Sequence, residues 1–315
     1  MQLERTQGKM AETVIVMATY NGERFLREQI DSILNNTYQD YELHICDDGS
    51  TDGTEDIAGE YQKKYPDKIF FHRNEKNLRV IKNFLVNVKK FDGKYYMFCD
   101  QDDVWLPYKI QHTIDFLKKT EDGAFDIPAV VFGDAKMVDS ELKEYHPSFQ
   151  KLNNLDTSKL DLCHLAMENK LIGCTVMFNR ALWEKLDVFP ENIKMHDWWV
   201  ALVGAAFGKV AFLDEPLLLY RQHGGNQVGG VSEMEYIRQN ITKLGEQRQA
   251  LYDNCRQAKA FVDVYRDSLS PEQVRLMDLF GDVPNQGWFK RRYQVFHNGF
   301  TKTGFVRNFG TFVIL

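Results

Sequence analysis

Apolar runs and amphipathic stretches alternate along the first half of the chain. Residues 13–18 are continuously apolar and β-prone, and the polar turn Thr19-Tyr20-Asn21-Gly22 follows them. Phe25, Leu26, Ile30, Ile33 and Leu34 then recur at helical spacing. Residues 41–46 read as a second strand that ends in Asp47-Asp48-Gly49-Ser50, with Ser50 or Thr51 placed to cap a helix carrying Ile57 and Tyr61. Residues 69–72 read as a third strand and 80–89 as a helix. A fourth, buried strand over 95–99 runs into Asp100-Gln101-Asp102-Asp103. Such alternation predicts right-handed crossovers and an α/β fold with a mainly parallel sheet flanked by helices.

The pattern continues with a helix over 104–119, carrying Trp105, Ile110, Ile114 and Leu117, and a strand over 129–132 that ends at Gly133-Asp134. Asp134 reads either as a site residue or as the closure of a turn. Residues 144–161 are polar and irregular and read as a mobile loop, a common place for acceptor selection. Strand character returns over 171–178, a helix is expected over 198–207, and a turn and strand over 208–216.

The texture then changes, dividing the chain into residues 1–229 and a C-terminal helical extension, 230–315. Met234, Ile237, Ile241, Leu244, Arg248, Leu251, Cys255, Ala258, Val262 and Tyr265 recur in alternating steps of three and four. That heptad seam calls for a partner helix, internal or from a second subunit in a homodimer. Ser270-Pro271-Glu272-Gln273 carries the cap, the proline and the glutamine of a helix start. Residues 283–315 contain no Asp or Glu but hold Lys290, Arg291, Arg292, Lys302 and Arg307 among many aromatics. Three readings fit this tail: an amphipathic segment for an anionic membrane surface, a helix pair packing its aromatics inward with its charges solvated, and, third, a nucleic-acid contact.

Composition narrows the function. A net charge of −6 gives the chain no overall nucleic-acid footprint. Five cysteines without CxxC spacing argue against a zinc site and fit a reduced, cytoplasmic compartment. The first ten residues lack a signal-peptide core, and no apolar run is long enough to span a bilayer. Neither a GxGxxG turn after the first strand nor a GxxxxGK[ST] loop is present.

The candidate chemistry lies in loops. In an open α/β sheet the loops after the first, second and fourth strands can meet in one crevice at the carboxyl ends of the strands. Tyr20 offers a ring face for a base, and Asp47 or Asp48 an acceptor for a base N–H or a ribose hydroxyl. Asp100, Asp102 and Asp103 repel one another unless a cation or donors sit among them, and their oxygens suit Mg²⁺ or Mn²⁺. Each feature also has a plainer reading, as packing, a turn or a cap; together, at matching topological positions, they favour a nucleoside-diphosphate site. Asp197, in Met195-His196-Asp197-Trp198-Trp199, is a carboxylate suited to general-base work and equally placed to cap a helix. Arg221 and His223 in Tyr220-Arg221-Gln222-His223 suit a pyrophosphate, and His223 also suits a metal.

Residues 14–22, 29–34 and 47–54 resemble the opening of family 2 glycosyltransferases, and Asp100-Gln101-Asp102-Asp103-Val104-Trp105 resembles the bacterial branch that includes rhamnosyltransferases. The likeness runs from about residue 13 to about residue 229. It implies a GT-A, Rossmann-like fold and an inverting enzyme that uses a nucleotide-diphosphate sugar and Mn²⁺ or Mg²⁺. It further implies that Thr19, Tyr20, Asn21, Asp47, Asp48, Asp100, Gln101 and Arg221 bind the donor, and that Asp100 and Asp102 form a DXD motif completed at the metal by His223. Asn169 and Gly173 resemble the donor-side wall. Asp197 falls on the second residue of the pair that supplies the catalytic base, with His196 in place of the usual acid. Asp103 is a third acid, assigned to the acceptor side, and Trp198 and Trp199 read as core or helix packing, with Trp198 as the one to stack on an acceptor sugar. Many members carry glycine where this chain has Arg79, which reads as a phosphate contact or a surface residue. The branch implies L-rhamnose from dTDP-β-L-rhamnose, a lipid-linked or glycan acceptor in cell-wall or capsule synthesis, and a peripheral position on the inner face of the membrane. The alternatives are a UDP-hexose (galactose or glucose) transferase, or a non-catalytic nucleotide-sugar or membrane scaffold.

Overall fold

The computed structural model describes residues 11–223 and 244–315. Three of the seam positions, Met234, Ile237 and Ile241, and the boundary between 229 and 230 lie outside the described residues.

The β-branched and apolar runs form strands β1 (Thr13–Thr19), β2 (Tyr41–Asp47), β3 (Ile69–Arg73) and β4 (Tyr95–Cys99). Helices α1 (Leu26–Leu34), α2 (Thr54–Lys64) and α3 (Arg79–Val88) connect them. β1 pairs in parallel with both β2 and β4, and β2 with β3. β1 is therefore the centre of the crossover pattern, and the loops after β1, β2 and β4 are neighbours. Side chains alternate along β1: Val14 and Val16 enter one core, Ile15 and Met17 the other. Cores on both faces explain why these strands read as unbroken apolar runs.

The second half of the sheet departs from the sequence expectation. Val104–Trp105 is not helical; it forms a short strand, β5, antiparallel to Leu218 and Leu219. Pro107 restrains the residue before it from helical geometry, and α4 (Lys109–Glu121) starts only beyond it. β6 (Ala129–Val138) outruns the expected strand and pairs in parallel with β9 (Lys209–Arg221). The run at 171–178 becomes a 3₁₀ turn, Gly173–Thr175, followed by β8 (Met177–Asn179), which inserts antiparallel between β4 and β6. The sheet order is β3-β2-β1-β4-β8-β6-β9-β5, so the sheet is mixed, parallel in its N-terminal half.

Residues 144–161 are less irregular than expected. β7 (Glu144–His146) pairs with β6, and α5 (Phe149–Leu152) is capped by the Ser148 hydroxyl, which accepts from the Lys151 N–H. Asp134 accepts from the Ser148 hydroxyl and from the Gln150 N–H (3.1 Å). It tethers this segment to β6, which accounts for its buried carboxylate. α6 (Leu162–Met167), α7 (Arg180–Lys185) and α8 (His196–Phe207), apolar from Trp198 onward, cover one face of the sheet.

The C-terminal helices α9 (Leu244–Tyr265), α10 (Pro271–Gly281), α11 (Trp288–His297) and α12 (Phe305–Ile314) join the same core as α8. The capping box at Ser270 and Gln273 forms as its sequence predicts. The seam residues Leu251, Cys255, Ala258, Val262 and Tyr265 are buried, and Trp199 meets Phe261 edge-on at 5.4 Å. From Leu251 to Tyr265 the partner of the seam is thus internal, whereas Leu244 is exposed. The tail divides its aromatics: Phe300 is buried and stacks on Phe280 (4.4 Å), whereas Phe289 and Phe305 are more than four-fifths exposed.

Candidate functional site

The loops after β1, β2 and β4 meet along an open cleft of about 1690 Å³. A single drug-sized ligand fills roughly 300–1,000 Å³. The cleft has room for a donor and an acceptor together.

One end is built by two adjacent carboxylates that face opposite duties. Asp47, at the end of β2, is fully buried and accepts from the N–H groups of Gly49 (3.0 Å) and Ser50 (2.9 Å), the Ser50 hydroxyl and the Thr19 hydroxyl (3.2 Å). Asp48 accepts from the Asn74 amide (2.9 Å) and from the N–H groups of Leu78 (2.8 Å) and Arg79 (2.7 Å). Asp48 lines the cleft, whereas Asp47 stands behind its wall as an organiser of the turn. Asn21, in left-handed geometry (φ 49°), accepts from the Thr51 N–H (2.9 Å) and donates its own N–H to the Ser50 hydroxyl (2.8 Å). It too ties the two loops together. Tyr20 lies on the wall with 52% of its surface exposed, leaving its ring face open.

Gln101 joins this end to the acidic loop. Its carboxamide accepts from the Tyr20 N–H (2.9 Å) and donates to the Tyr20 carbonyl (3.1 Å). A Cβ at Gly22 would lie 2.3 Å from the Gln101 Oε1, so the carboxamide keeps this place only beside a glycine. Arg79 also lines the cleft, with φ +61°, the left-handed region that glycine adopts without strain. Its exposed side chain agrees with the surface reading in position, and its place on the cleft wall keeps the phosphate reading open.

The acids separate by depth. Asp100 and Asp102 line the cleft, but Asp103 is 1% exposed and lies behind the wall, where it accepts from the Arg221 N–H (3.1 Å). Its burial corrects the expectation that Asp103 faces an acceptor. Burial and the charges of Asp102 and Asp197 push the Asp100 carboxyl up to about 7, and burial raises Asp103 well above the usual carboxylate range. Such mutual repulsion is what a bound cation relieves. His223 Nε2 lies within hydrogen-bond distance of the Asp102 Oδ2 (2.7 Å). Asp100, Asp103 and Cys174 also converge closely enough to hold an ion. Burial keeps the Cys174 thiol protonated, however, and sulfur is a poor ligand for hard cations. Asp100 and Asp102 are the carboxylates of this loop that line the cleft, and their oxygens are of the kind that Mn²⁺ or Mg²⁺ takes.

Arg221 is 2% exposed and does not present its guanidinium to the cleft. It donates to the Asp102 carbonyl (2.7 Å), the Ser140 carbonyl (2.7 Å) and the Glu28 carboxylate. This differs from the expected phosphate contact, because the charge is consumed in fixing the acidic loop to β9.

The opposite wall carries Asp197 at the start of α8. Its Oδ1 accepts from the Trp198 N–H (2.8 Å), and its Oδ2 from the Asn169 amide (3.1 Å). Burial pushes its carboxyl up to about 6, despite both hydrogen bonds. His196 beneath it is buried, stacks on Phe84 at 4.1 Å and is held down to about 3, hence neutral. A Cβ at Gly173 would lie 2.7 Å from the His196 ring, so glycine admits the imidazole. The Trp198 indole donates to the Leu165 carbonyl at 2.5 Å and its ring is 7% exposed. It is a wall residue with little face left for stacking, unlike the expected acceptor platform.

Lys109 escaped the sequence reading. It is fully buried, donates to the Cys174 carbonyl (2.5 Å) and lies over the Trp105 ring (4.2 Å); burial lowers its amine to about 8, against the opposing charges of Asp103 and Asp100. Its helical register with buried Thr113 and Leu117 was the available signal, since i, i+4 and i+8 share a face. Glu168 and Arg307, paired at 2.8 Å, line the far end of the cleft, and no local motif marks either.

The glycosyl transferase family 2 model matches residues 14–183. The chain is 30% identical over 257 residues to the dTDP-rhamnosyl transferase RfbG of Shigella flexneri, covering 72% of this chain and 83% of that protein. It is 30% identical to an uncharacterised glycosyltransferase of Rickettsia typhi, covering 66% of this chain and 63% of the relative, just under two thirds of its length. Among solved structures, Staphylococcus aureus TarS 1–349 in complex with UDP-GlcNAc superposes with a TM-score of 0.54 at 17% identity, covering 90% of this chain and 81% of that one. The mannosyltransferase PcManGT of Pyrobaculum calidifontis, with GDP-Man and Mn²⁺, superposes with a TM-score of 0.54 at 14% identity, covering 92% and 80%. These two likenesses show a shared fold.

Proposed function

The chain belongs to glycosyl transferase family 2, and on that premise we propose that it is an inverting, metal-dependent transferase of L-rhamnose from dTDP-β-L-rhamnose. The observation that carries the catalytic reading is Asp197, a buried carboxylate on the cleft wall whose proton affinity has been raised towards neutrality. Asp197 takes the proton of an acceptor hydroxyl as that oxygen attacks the anomeric carbon from the face opposite the diphosphate. Asn169 and the Trp198 N–H hold the carboxylate in place as it does so. Asp100 and Asp102 are the residues to hold Mn²⁺ or Mg²⁺, with His223 beside them. When bound, such an ion would supply neutralisation of the charge that develops on the departing diphosphate.

Tyr20 and Asp48 take the nucleoside, with Thr19, Asn21 and Asp47 shaping their loops and Gln101 fixing Tyr20 against the acids. Arg221 positions the acidic loop. The rhamnosyl donor is supported by the Shigella relative; the acceptor is a lipid-linked or polysaccharide chain of the bacterial envelope, reached from the cytoplasmic face of the membrane. The seam from Leu251 to Tyr265 is packed internally, while Leu244 is 46% exposed.

Calorimetric titration of dTDP and UDP, each with Mn²⁺ and with EDTA, tests the donor. Tighter binding of dTDP that vanishes in EDTA is expected. Preference for UDP would keep the transferase and replace rhamnose by a hexose such as galactose or glucose. Binding of neither would overturn the nucleotide site.

A further inference from the structure

We propose that α11 and α12 form a docking face for an anionic lipid surface, fixed to the rim of the cleft through Arg307. The inference rests on the reading above in one respect, the membrane-borne acceptor.

Fourteen large hydrophobic side chains are exposed among the described residues, and eight of them lie on these two helices. Phe305, Phe309 and Val313 follow one another at i, i+4 and i+8 along α12, and Phe289 and Tyr293 at i and i+4 along α11. Trp288 meets Phe312 at 6.4 Å and Phe296 meets Phe312 at 6.2 Å, so the two stripes form one patch. A contiguous apolar surface of this kind marks an interaction site.

The charge selects the partner. Residues 283–315 carry five Lys or Arg and no acid, in a chain of net charge −6. Lys290 is exposed next to Phe289 and Arg291 is half-buried beside it, whereas Arg292 is 7% exposed, its guanidinium covered by Trp288 (3.9 Å) and Phe312 (5.1 Å), and Arg307 is paired with Glu168. Cations set among exposed aromatics fit the headgroup and acyl boundary of an anionic bilayer. A second copy of the same face would bring like charges together, which disfavours self-association.

The other side of α12 reaches the site. Arg307 pairs with Glu168 at 2.8 Å and donates to the Asn153 carbonyl, and the Thr303 N–H and hydroxyl donate to Glu168 (2.9 and 2.8 Å). Arg307, Asn153 and Glu168 all line the cleft. Docking by α12 therefore sets the orientation of the cleft mouth relative to the lipid surface, where a lipid-linked acceptor would be presented.

Co-sedimentation of the full chain with vesicles of phosphatidylglycerol and phosphatidylcholine, or of phosphatidylcholine alone, tests the face. Binding is expected to the anionic vesicles and to weaken with salt. A Phe305→Ser/Phe309→Ser variant is expected to bind at least ~10-fold more weakly, from the transfer free energy of two aromatic rings. Lys290→Glu/Arg291→Glu is expected to lose the preference for phosphatidylglycerol. Calorimetric binding of dTDP with Mn²⁺ in the absence of vesicles should persist in both variants, which reports an intact fold. Equal vesicle binding by wild type and variants would overturn the proposal. So would absence of vesicle binding in a wild type that light scattering finds dimeric and the phenylalanine variant finds monomeric. Failure of wild type to bind nucleotide, with vesicle binding intact, would instead strike the donor assignment.

Discussion

Asp197 combines two properties that are hard to obtain together: a surface on the cleft and near-complete burial of its oxygens. Its carboxyl is raised because burial penalises the charged form by more than its two hydrogen bonds favour it. A general base acts unprotonated, so activity falls as pH drops through the raised value. In the metal-free frame that limb lies at about 6, well above the ordinary aspartate value, and a cation at Asp100 and Asp102 moves it lower. A kcat/KM profile between pH 4.5 and 8 checks this; activity undiminished down to pH 4.5 would remove Asp197 from the role. Asp197→Asn keeps the shape and both backbone geometries but cannot accept the proton. Transfer should fall by roughly 10²–10⁴-fold while calorimetric affinity for dTDP with Mn²⁺ stays near wild type. Retained transfer would disprove the base, and a non-catalytic scaffold predicts no change at all. Asp197 was legible because a carboxylate opening an apolar helix is conspicuous. Asp103 was misjudged because adjacent acids look alike in a sequence, whereas the chain direction after β4 sends Asp100 and Asp102 to the cleft and Asp103 into the interior.

At the scale of elements, the N-terminal crossovers were readable because each strand is an unbroken apolar run and each helix shows a 3.6-residue stripe. The strand at Val104–Trp105 was not, because two residues carry no period and the tryptophan fits a helical stripe equally well. Its partner, β9, lies more than a hundred residues away, and long-range pairing leaves no local mark. Arg221, at the end of β9, shows what this pairing does. Its backbone and side chain bind Asp103, Asp102, Ser140 and Glu28, locking the acidic loop to the strand. Arg221→Ala leaves two partly buried carbonyls and the Glu28 carboxylate without their donor and is expected to cost on the order of 1–3 kcal/mol, seen as a lower urea midpoint. Mn²⁺-dependent nucleotide binding should weaken with it. A phosphate ligand would instead lose affinity with stability unchanged, so the two measurements together decide between the roles. Gly22→Ala acts on the other side of the same loop. Its Cβ would displace the Gln101 carboxamide, a flexible group that can move at small cost. Stability should change little, whereas the affinity for dTDP should fall as Tyr20 loses its clamp.

For the whole molecule, the division at about residue 229 captured a change of texture and left open how the helices are held. One hydrophobic core runs from Val14 and Phe98 through Trp199 to Phe261, Phe280 and Leu315. Lys194, just before α8, donates to the Asn254 amide oxygen (2.6 Å), and the Gln257 carboxamide accepts from the Lys194 N–H (2.8 Å). The helices thus cover the back of the element that carries Asp197. A heptad pattern reports that a helix has an apolar seam, and nothing in it says that α8 and α10 are the cover. Removing residues 244–315 would expose Trp199, Val203 and the α6 face at once, a loss several times the roughly 3–5 kcal/mol of a single large core truncation. The shortened chain is expected to be insoluble or to lack a cooperative melt by circular dichroism, and dTDP with Mn²⁺ should fail to rescue it. In the full chain the same ligands at about a hundred times their Kd should stabilise by about 2.7 kcal/mol, with no effect in EDTA. A truncated chain that melts cooperatively and binds nucleotide would show instead that the helices are a separable attachment, and that the cleft stands on the sheet alone.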